Sequence, residues 1–549
     1  MPALDGTGRI HHAITTAPLL VGGIVLASLT EAIASTVLSL GRNDILGDIH
    51  ATPDEFAWLD IGYTTLKLIA FIAAPWLLRR GEPKTLMIGA TLVMGAASGI
   101  AAATTHLTLL IALRAVQGLS GGTLLVVGQA MIFLAYSRAH QPVLQAVFAM
   151  GAVVAPATIA PAFQGLLLDG QSWTWIFLSV IPLALVASGL LILAEAPAFE
   201  TTVVPAPCDW IGLGLISTVM FCLTYVLIQG VRWDWFEESR IRWLTVIGVT
   251  ALLMFLVQQN TMAKGVGLLD FTLFASKDYS FSFIVSFVAG AALFGSAFLI
   301  PAFAVSVLSF TPTDAGQLLL PSGGLFIGAL LVAAFTIQFC KAHPLATVPF
   351  GIVMIMTAMW MLSGSTSESG AHDMMPAILL RGIGLGFLFL SITLIAFSDL
   401  SSRNLGAGIG LFNTGRQFGG LLGVAALQTL INHHVASNGV VLGTYVVAGN
   451  PAVIERLKAT AAMLSSKGLD AVAAGHAAVN LLGGTVIRQS NVIAFDTAFV
   501  AIALFFVVAA PAMIVVKVGI SRYRARPGSP AMNVNRRGDQ AVTVSAATL

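Results

Sequence analysis

Apolar runs of about twenty residues, separated by short polar joints, recur along almost the whole chain. A bilayer core of roughly 30 Å is crossed by about 20 apolar residues in a helix. By that measure the chain predicts fourteen spanning helices, at 17–41, 55–78, 85–105, 107–135, 142–168, 174–196, 208–230, 241–262, 279–308, 313–338, 344–364, 374–398, 404–435 and 493–517. Pro156 and Pro161 interrupt the fifth, and the thirteenth is rich in glycine. The expected fold class is an all-α polytopic membrane protein.

Composition narrows the function classes. The 549 residues are 57% hydrophobic and only 9% charged, against about 45–50% and about 25% for soluble domains. Soluble enzymes, nucleic-acid binders and disordered scaffolds are thereby excluded. A net charge of +2 implies no polyanionic partner. Cys208, Cys222 and Cys340 are far apart and offer neither metal spacing nor a disulfide framework. No cofactor is expected. The N-terminal stretch lacks a signal-peptide layout. Lys and Arg set the orientation. With the N-terminus in the cytoplasm, fifteen basic residues fall in cytoplasmic segments and eight in outer ones. The basic stretch RYRARPG at 522–528 supplies much of that bias and leaves both termini cytoplasmic.

Four basic residues remain inside spans: Lys67, Arg114, Arg381 and Arg416. Glu31 lies near the middle of the first span and Asp60 in the outer part of the second. A charge at mid-bilayer costs about 2.5–3.5 kcal/mol on insertion scales. A chain that accepts this cost repeatedly is expected to have a wet, polar interior, which favours a transport pathway. Asp60, Thr64 and Lys67 recur at i, i+4 and i+7, so they share one helix face. Lys67 can pair with Asp60, pair with Glu31 across a cavity, or bind an anionic cargo. Gln117, Gln129 and Asn413 add uncharged polar groups at membrane depth, as cavity lining or as helix–helix bonds.

LRAVQGLSGG at 113–122 has an echo in LRGIGLGFLF at 380–389, each an Arg followed by closely spaced small residues. This suggests two six-helix halves with two helices inserted between them, a layout that places a site at the midplane. The expected division is a cytoplasmic N-terminus 1–16, a first half 17–200, an insert 201–265, a second half 266–517 containing an outer loop 436–492, and a basic tail 518–549. Gly118 and Gly122, then Gly415, Gly419 and Gly423, recur every four residues, as in closely packed membrane helices.

Several motifs together resemble the major facilitator superfamily, in particular its 14-helix drug:proton antiporters of the EmrB/QacA type, EmrB-like above all. Arg114, Gln117 and Gly118 match R-x-x-Q-G in helix 4. Gly151, Pro156, Pro161 and Gly165 match the Pro/Gly-rich antiporter motif of helix 5, which continues into SWTWIF at 172–177. Asn413, Arg416, Gly419, Gly420 and Gly423 match the pattern of helix 13, and WLLRRGEPK at 76–84, WDWF at 233–236 and LLDFTLF at 268–274 are similar too. The departures are specific. Ala34 stands where the family has an Asp in helix 1, with Glu31 one turn earlier; Ala155 and Ala160 replace common glycines; Leu78-Arg79-Arg80 replaces the loop Asp, and Thr174 an Arg.

The resemblance implies export by alternating access in a bacterial inner membrane, driven by protons. Glu31, Arg114 and Asp60 are the candidates for proton coupling; Lys67, Gln117, Gln129, Asn413, Arg416 and Arg381 for the substrate cavity; Gly118, Gly122, Gly151, Pro156, Pro161, Gly165, Gly419 and Gly423 for gating and packing. Arg114 is expected to face Glu31. The 436–492 stretch, with helix-like segments at 452–466 and 468–482, resembles the extension through which such pumps meet a periplasmic adaptor protein and an outer-membrane channel. Other readings are export of one endogenous metabolite and a non-transporting receptor on the same fold. Gly118-Leu119-Ser120-Gly121-Gly122 matches G-x-S-x-G, but all ten histidines fall in loops, tails or span ends, leaving a serine nucleophile without a base.

Overall fold

The computed structural model describes residues 7–195, 209–261, 268, 273–274, 276–398, 400–447 and 449–525. Cys208, Lys264, most of the LLDFTLF motif and the basic tail from 526 lie outside the described residues. The first six expected spans are α1 (Thr7–Leu40), followed by the short α2 (Arg42–Asp48), α3 (Pro53–Leu78), α4 (Pro83–Ala102), α5 (Leu107–Ala135), the pair α6 (Gln141–Ala149) and α7 (Ala160–Gly170), and α8 (Thr174–Leu193). The pair expected as an insert is α9 (Trp210–Gln229) and α10 (Ser239–Thr261). Then come α11 (Lys277–Ser306), α12 (Pro312–Leu318) continued by α13 (Leu320–Gln338), α14 (Val348–Leu362), α15 (Ala371–Phe397), α16 (Ser402–Tyr445), α17 (Pro451–Ser466) and α18 (Ala471–Ala525). Among the described residues, thirteen spans are long and apolar enough to cross a membrane. The glycine-rich α16, which covers the thirteenth expected span, is not one of these thirteen.

Local sequence sets several starts. Thr52 accepts from the Glu55 amide while the Glu55 carboxylate accepts from the Thr52 amide, and Pro53 opens the helix. Ser276, Thr311 and Asn450 cap α11, α12 and α17 with side-chain oxygens. Between α6 and α7 the chain makes a π-helical stretch, Met150–Ile159, around Pro156. A proline inside a helix has no N–H to donate and crowds the preceding turn; the wider π turn accommodates it and the span runs on to Gly170.

Close helix pairs form where glycine removes the side chain. Gly118 and Gly122 of α5 sit against the backbone of Tyr63 and Lys67 in α3. Gly419 and Gly423 of α16 lie on Phe287 and Ala291 of α11, Gly151 on the Val25 carbonyl of α1, and Gly165 on Pro312 at the start of α12. Pro161 lies in the first turn of α7. The α9–α10 turn carries WDWF. Its Asp234 and Trp235 take positive φ values of 47° and 55°. The Trp235 indole donates to Thr429 Oγ1 of α16 at 3.0 Å, and Arg232 pairs with Asp54 of α3 at 2.7 Å. The insert thus touches both sides of the bundle.

The stretch expected as an outer loop, 436–492, is largely helical. α16 continues to Tyr445 and α18 starts at Ala471, well before the expected span at 493. At 1.5 Å per residue, helices of 44 and 55 residues reach about 65 and about 80 Å, far beyond a bilayer core. α17 packs against α18. The second expected helix-like segment, 468–482, is the beginning of α18 rather than a separate element.

Gly118→Ala is expected to lower stability by about 1–3 kcal/mol, because the new methyl collides with the Tyr63 carbonyl. Gly324→Ala, whose methyl meets nothing within 4 Å, serves as the comparison. Thermal unfolding of the purified protein in detergent should separate the two variants.

Candidate substrate cavity

A cavity of about 560 Å³ lies at the centre of the bundle. One wall is polar: Glu31, Ser35 and Thr36 from α1, with Asp60, Thr64 and Lys67 from α3. The facing wall is apolar: Leu293, Phe294 and Phe298 from α11, with Val153 and Pro156 from the π-helical stretch. Arg416 and Gln417 of α16 complete it. Ser39, Arg42, Val305 and Pro312 carry the lining to one end of the bundle. Toward the other end the helices pack closely. Phe133, Phe397 and Phe412 stack edge to face at 5.3 and 5.1 Å. Gly410 rests on the Phe71 carbonyl, and the Val143 amide donates to Gln338 at 3.4 Å.

Within the protein, Lys67 pairs with Glu31 and not with Asp60. Lys67 Nζ donates to Glu31 Oε1 at 2.5 Å and the Tyr63 hydroxyl donates to the same oxygen at 3.0 Å. Glu31 is 1% exposed and Lys67 6%. Asp60 lines the cavity with no hydrogen bond or ion pair among the described residues. Arg114 makes no direct pair with Glu31. It donates to the Ala34 carbonyl at 2.7 Å and to Gln117 at 2.9 Å, and lies 4.2 Å over the Tyr63 ring. Tyr63 therefore stands between the cation and the acid. Ala34, at the place of the family's acid, contributes its carbonyl instead.

Four residues expected to line the cavity do not. Gln117 is held between Arg114 and Ser98, to which it donates at 3.0 Å. Gln129 donates to Gln145 and accepts from Asn413, both at 3.3 Å. Asn413 also accepts from Arg416 at 2.7 Å. Arg381 is fully buried and donates through Nε to Ser296 of α11 at 2.7 Å. Gln117, Gln129 and Asn413 are bonded within and between helices, and Arg381, whose Nη1 and Nη2 have no hydrogen-bond partner among the described residues, is enclosed by the helices around it. Arg114 and Arg381, the two arginines of the sequence echo, reach α1 and α11 respectively.

The bond from Tyr63 to Glu31 is not read from the sequence; the position of Tyr63 four residues before Lys67, on the same helix face, is the available signal. Sequence reasoning also missed Arg42 as lining, Ser296, and Asp496 of α18, a half-buried acid whose Oδ1 has no hydrogen-bond partner among the described residues.

A bundle of long apolar helices around a central two-faced cavity defines a polytopic membrane protein of transporter architecture. The sequence model of the Major Facilitator Superfamily matches residues 20–424, and the chain belongs to that superfamily. It is 26% identical over 410 residues to the multidrug export protein EmrB of Haemophilus influenzae, covering 74% of this chain and 79% of the relative. It is 26% identical over 419 residues to the tetracenomycin C resistance and export protein of Streptomyces glaucescens, covering 75% of each. It is 24% identical over 489 residues to the fatty acid resistance protein FarB of Neisseria gonorrhoeae, covering 88% of this chain and 93% of the relative.

Removing one partner of a buried ion pair leaves the other charge unbalanced and costs about 3–5 kcal/mol, whereas replacing both is far milder. Lys67→Met alone should therefore unfold at markedly lower temperature than Lys67→Met combined with Glu31→Gln. A double-mutant cycle by thermal unfolding checks this.

Proposed function

We propose that this chain exports drugs or other amphiphilic toxic compounds across a bacterial inner membrane in exchange for protons. The observation that carries the reading is the cavity itself: an apolar wall faces a polar wall in whose centre one buried carboxylate, Glu31, is held by Lys67. An amphiphile fits such a two-sided space, and a carboxylate facing it can take up a proton and give it back. The export and resistance functions in the relatives' names support the same assignment. Glu31 carries the proton, Tyr63 relays the influence of Arg114, and Asp60 is the second acid open to the cavity. Lys67 and Arg416 meet the cargo, while the glycines at 118, 122, 151, 165, 419 and 423, with Pro156 and Pro161, let helices slide as the cavity changes sides. Gln117, Gln129, Asn413 and Arg381 hold the helices that carry these groups.

In the favoured orientation both termini are cytoplasmic and the cavity extends toward the outer face. The halves 17–200 and 266–517 rock about the site, with 201–265 as an inserted pair. The projecting α16–α18 extension is a surface for a periplasmic adaptor protein, which would make the chain the pump of a tripartite efflux system. A second reading, export of one endogenous metabolite, draws on the likeness to the tetracenomycin C resistance and export protein.

Everted vesicles holding an acid interior, with a pH-sensitive dye inside, test the exchange. Amphiphiles added to wild type should dissipate the gradient, and Glu31→Gln should abolish the response. Dissipation that persists in Glu31→Gln removes Glu31 from coupling. A response confined to one compound in a broad panel favours the metabolite reading.

A further inference from the structure

Five charged residues line the cavity: Glu31, Asp60, Arg42, Lys67 and Arg416. Their balance changes with depth. Asp60 and Arg42 lie toward the end of the bundle where α3 starts and α1 stops. Deeper in, Glu31 and Lys67 neutralise each other at 2.5 Å. Arg416 remains. Its one hydrogen bond goes to Asn413 of its own helix at 2.7 Å, and it pairs with no carboxylate among the described residues. A guanidinium has five N–H donors, so most of its donor capacity is unused, in a space where charge is poorly screened.

The arginine and the lysine enter from different helices. Lys67 lies fourteen residues into α3 and Arg416 fourteen residues into α16. That places each about 21 Å from its own helix start at 1.5 Å per residue, and the two helices start at opposite ends of the bundle. Both line the same cavity as Leu293, Phe294 and Phe298 of α11.

We infer that the deep end of the cavity is an anion subsite: the cargo is an amphiphile whose acidic head is taken by Arg416, with Lys67 as second cation, and whose apolar body lies along α11. The inference rests on the export reading above and names its substrate class. A guanidinium fork matches the oxygens of a carboxylate, sulfate or phosphate. A cationic head at the same depth meets the unpaired charge of Arg416 and a single carboxylate that is already occupied. An anion held by α3 and α16 together also ties the two sides of the bundle, so it binds best to the state in which they close around it.

The test is equilibrium binding to the purified full chain in phosphatidylcholine nanodiscs, at one fixed pH and without a proton gradient. Dodecanoate and dodecyltrimethylammonium serve as matched probes. Dodecanoate should bind at least about tenfold more tightly; Arg416→Gln should weaken it about tenfold without weakening the ammonium compound, while Arg416→Lys, which keeps the charge but loses the fork, retains part of the affinity. Thermal unfolding confirms that the variants are folded. Equal or tighter binding of the ammonium probe overturns the inference, as does unchanged dodecanoate binding in Arg416→Gln. Loss of the preference in phosphatidylglycerol nanodiscs gives the subsite to a lipid head and overturns the cargo assignment. Each of these results leaves proton exchange in vesicles standing if that assay succeeds. Binding of neither probe by the folded protein overturns the export reading as well.

Discussion

Inside a bilayer a polar side chain has no water to bond, so every donor and acceptor must find its partner within the protein or in a wet cavity. That constraint sorts the polar residues of this chain into two groups. Arg114, Gln117, Ser98 and the Ala34 carbonyl form one internal set, and Gln129, Gln145 and Asn413 another. Glu31, Lys67, Asp60 and Arg416 form the group that meets the cavity. Gln417, Ser35, Thr36 and Thr64 extend its polar surface. The first group positions helices, and the second is left able to bind.

The same economy governs packing. Lipid tails are as apolar as leucine, so helices associate through close contact rather than through exclusion of water. Glycine at Gly118 and Gly122 brings α5 onto the α3 backbone, at the two residues, Tyr63 and Lys67, that hold Glu31. The glycine pattern and the carboxylate are therefore parts of one construction: a bulkier residue on α5 would push away the helix that carries the partners of the acid. Gly419, on the opposite side, does the same for α16 and α11, and so sets where Arg416 enters the cavity.

The paired α9 and α10 and the long α18 surround this centre without lining it. α10 exposes Trp243, Val246, Leu253 and Val257 around its surface, as a helix in lipid contact does. The α9–α10 turn reaches α3 through Arg232 and α16 through Trp235. The exposed ion pair contributes little by itself; its value is in tying the insert to both sides of the bundle.

Much of the fold was legible because its signal is local. Twenty apolar residues in a row, a capping box at Thr52, or Pro156 in mid-span act through the residues beside them, and the spans, the class and the glycine contacts follow from them. The motif residues Arg114, Gly118, Asn413 and Arg416 were readable for the same reason. The partners of polar groups were not. Asp60, Glu31 and an anionic cargo were equal candidates for Lys67 because helical periodicity says which face a residue is on, not what stands opposite. Gln117, Gln129, Asn413 and Arg381 looked like cavity residues, yet all four are buried among the helices, three of them bonded to other side chains there and Arg381 through Nε alone. The 436–492 stretch read as a loop because hydropathy marks where lipid ends, whereas a helix continues as long as its backbone bonds and neighbours allow. The sequence by itself determined which residues lie in the membrane and on which face; only the tertiary structure decided which of them are satisfied and which are left open to a ligand. The reason is physical: a buried polar group is defined by its partner, and here the decisive partners come from other helices.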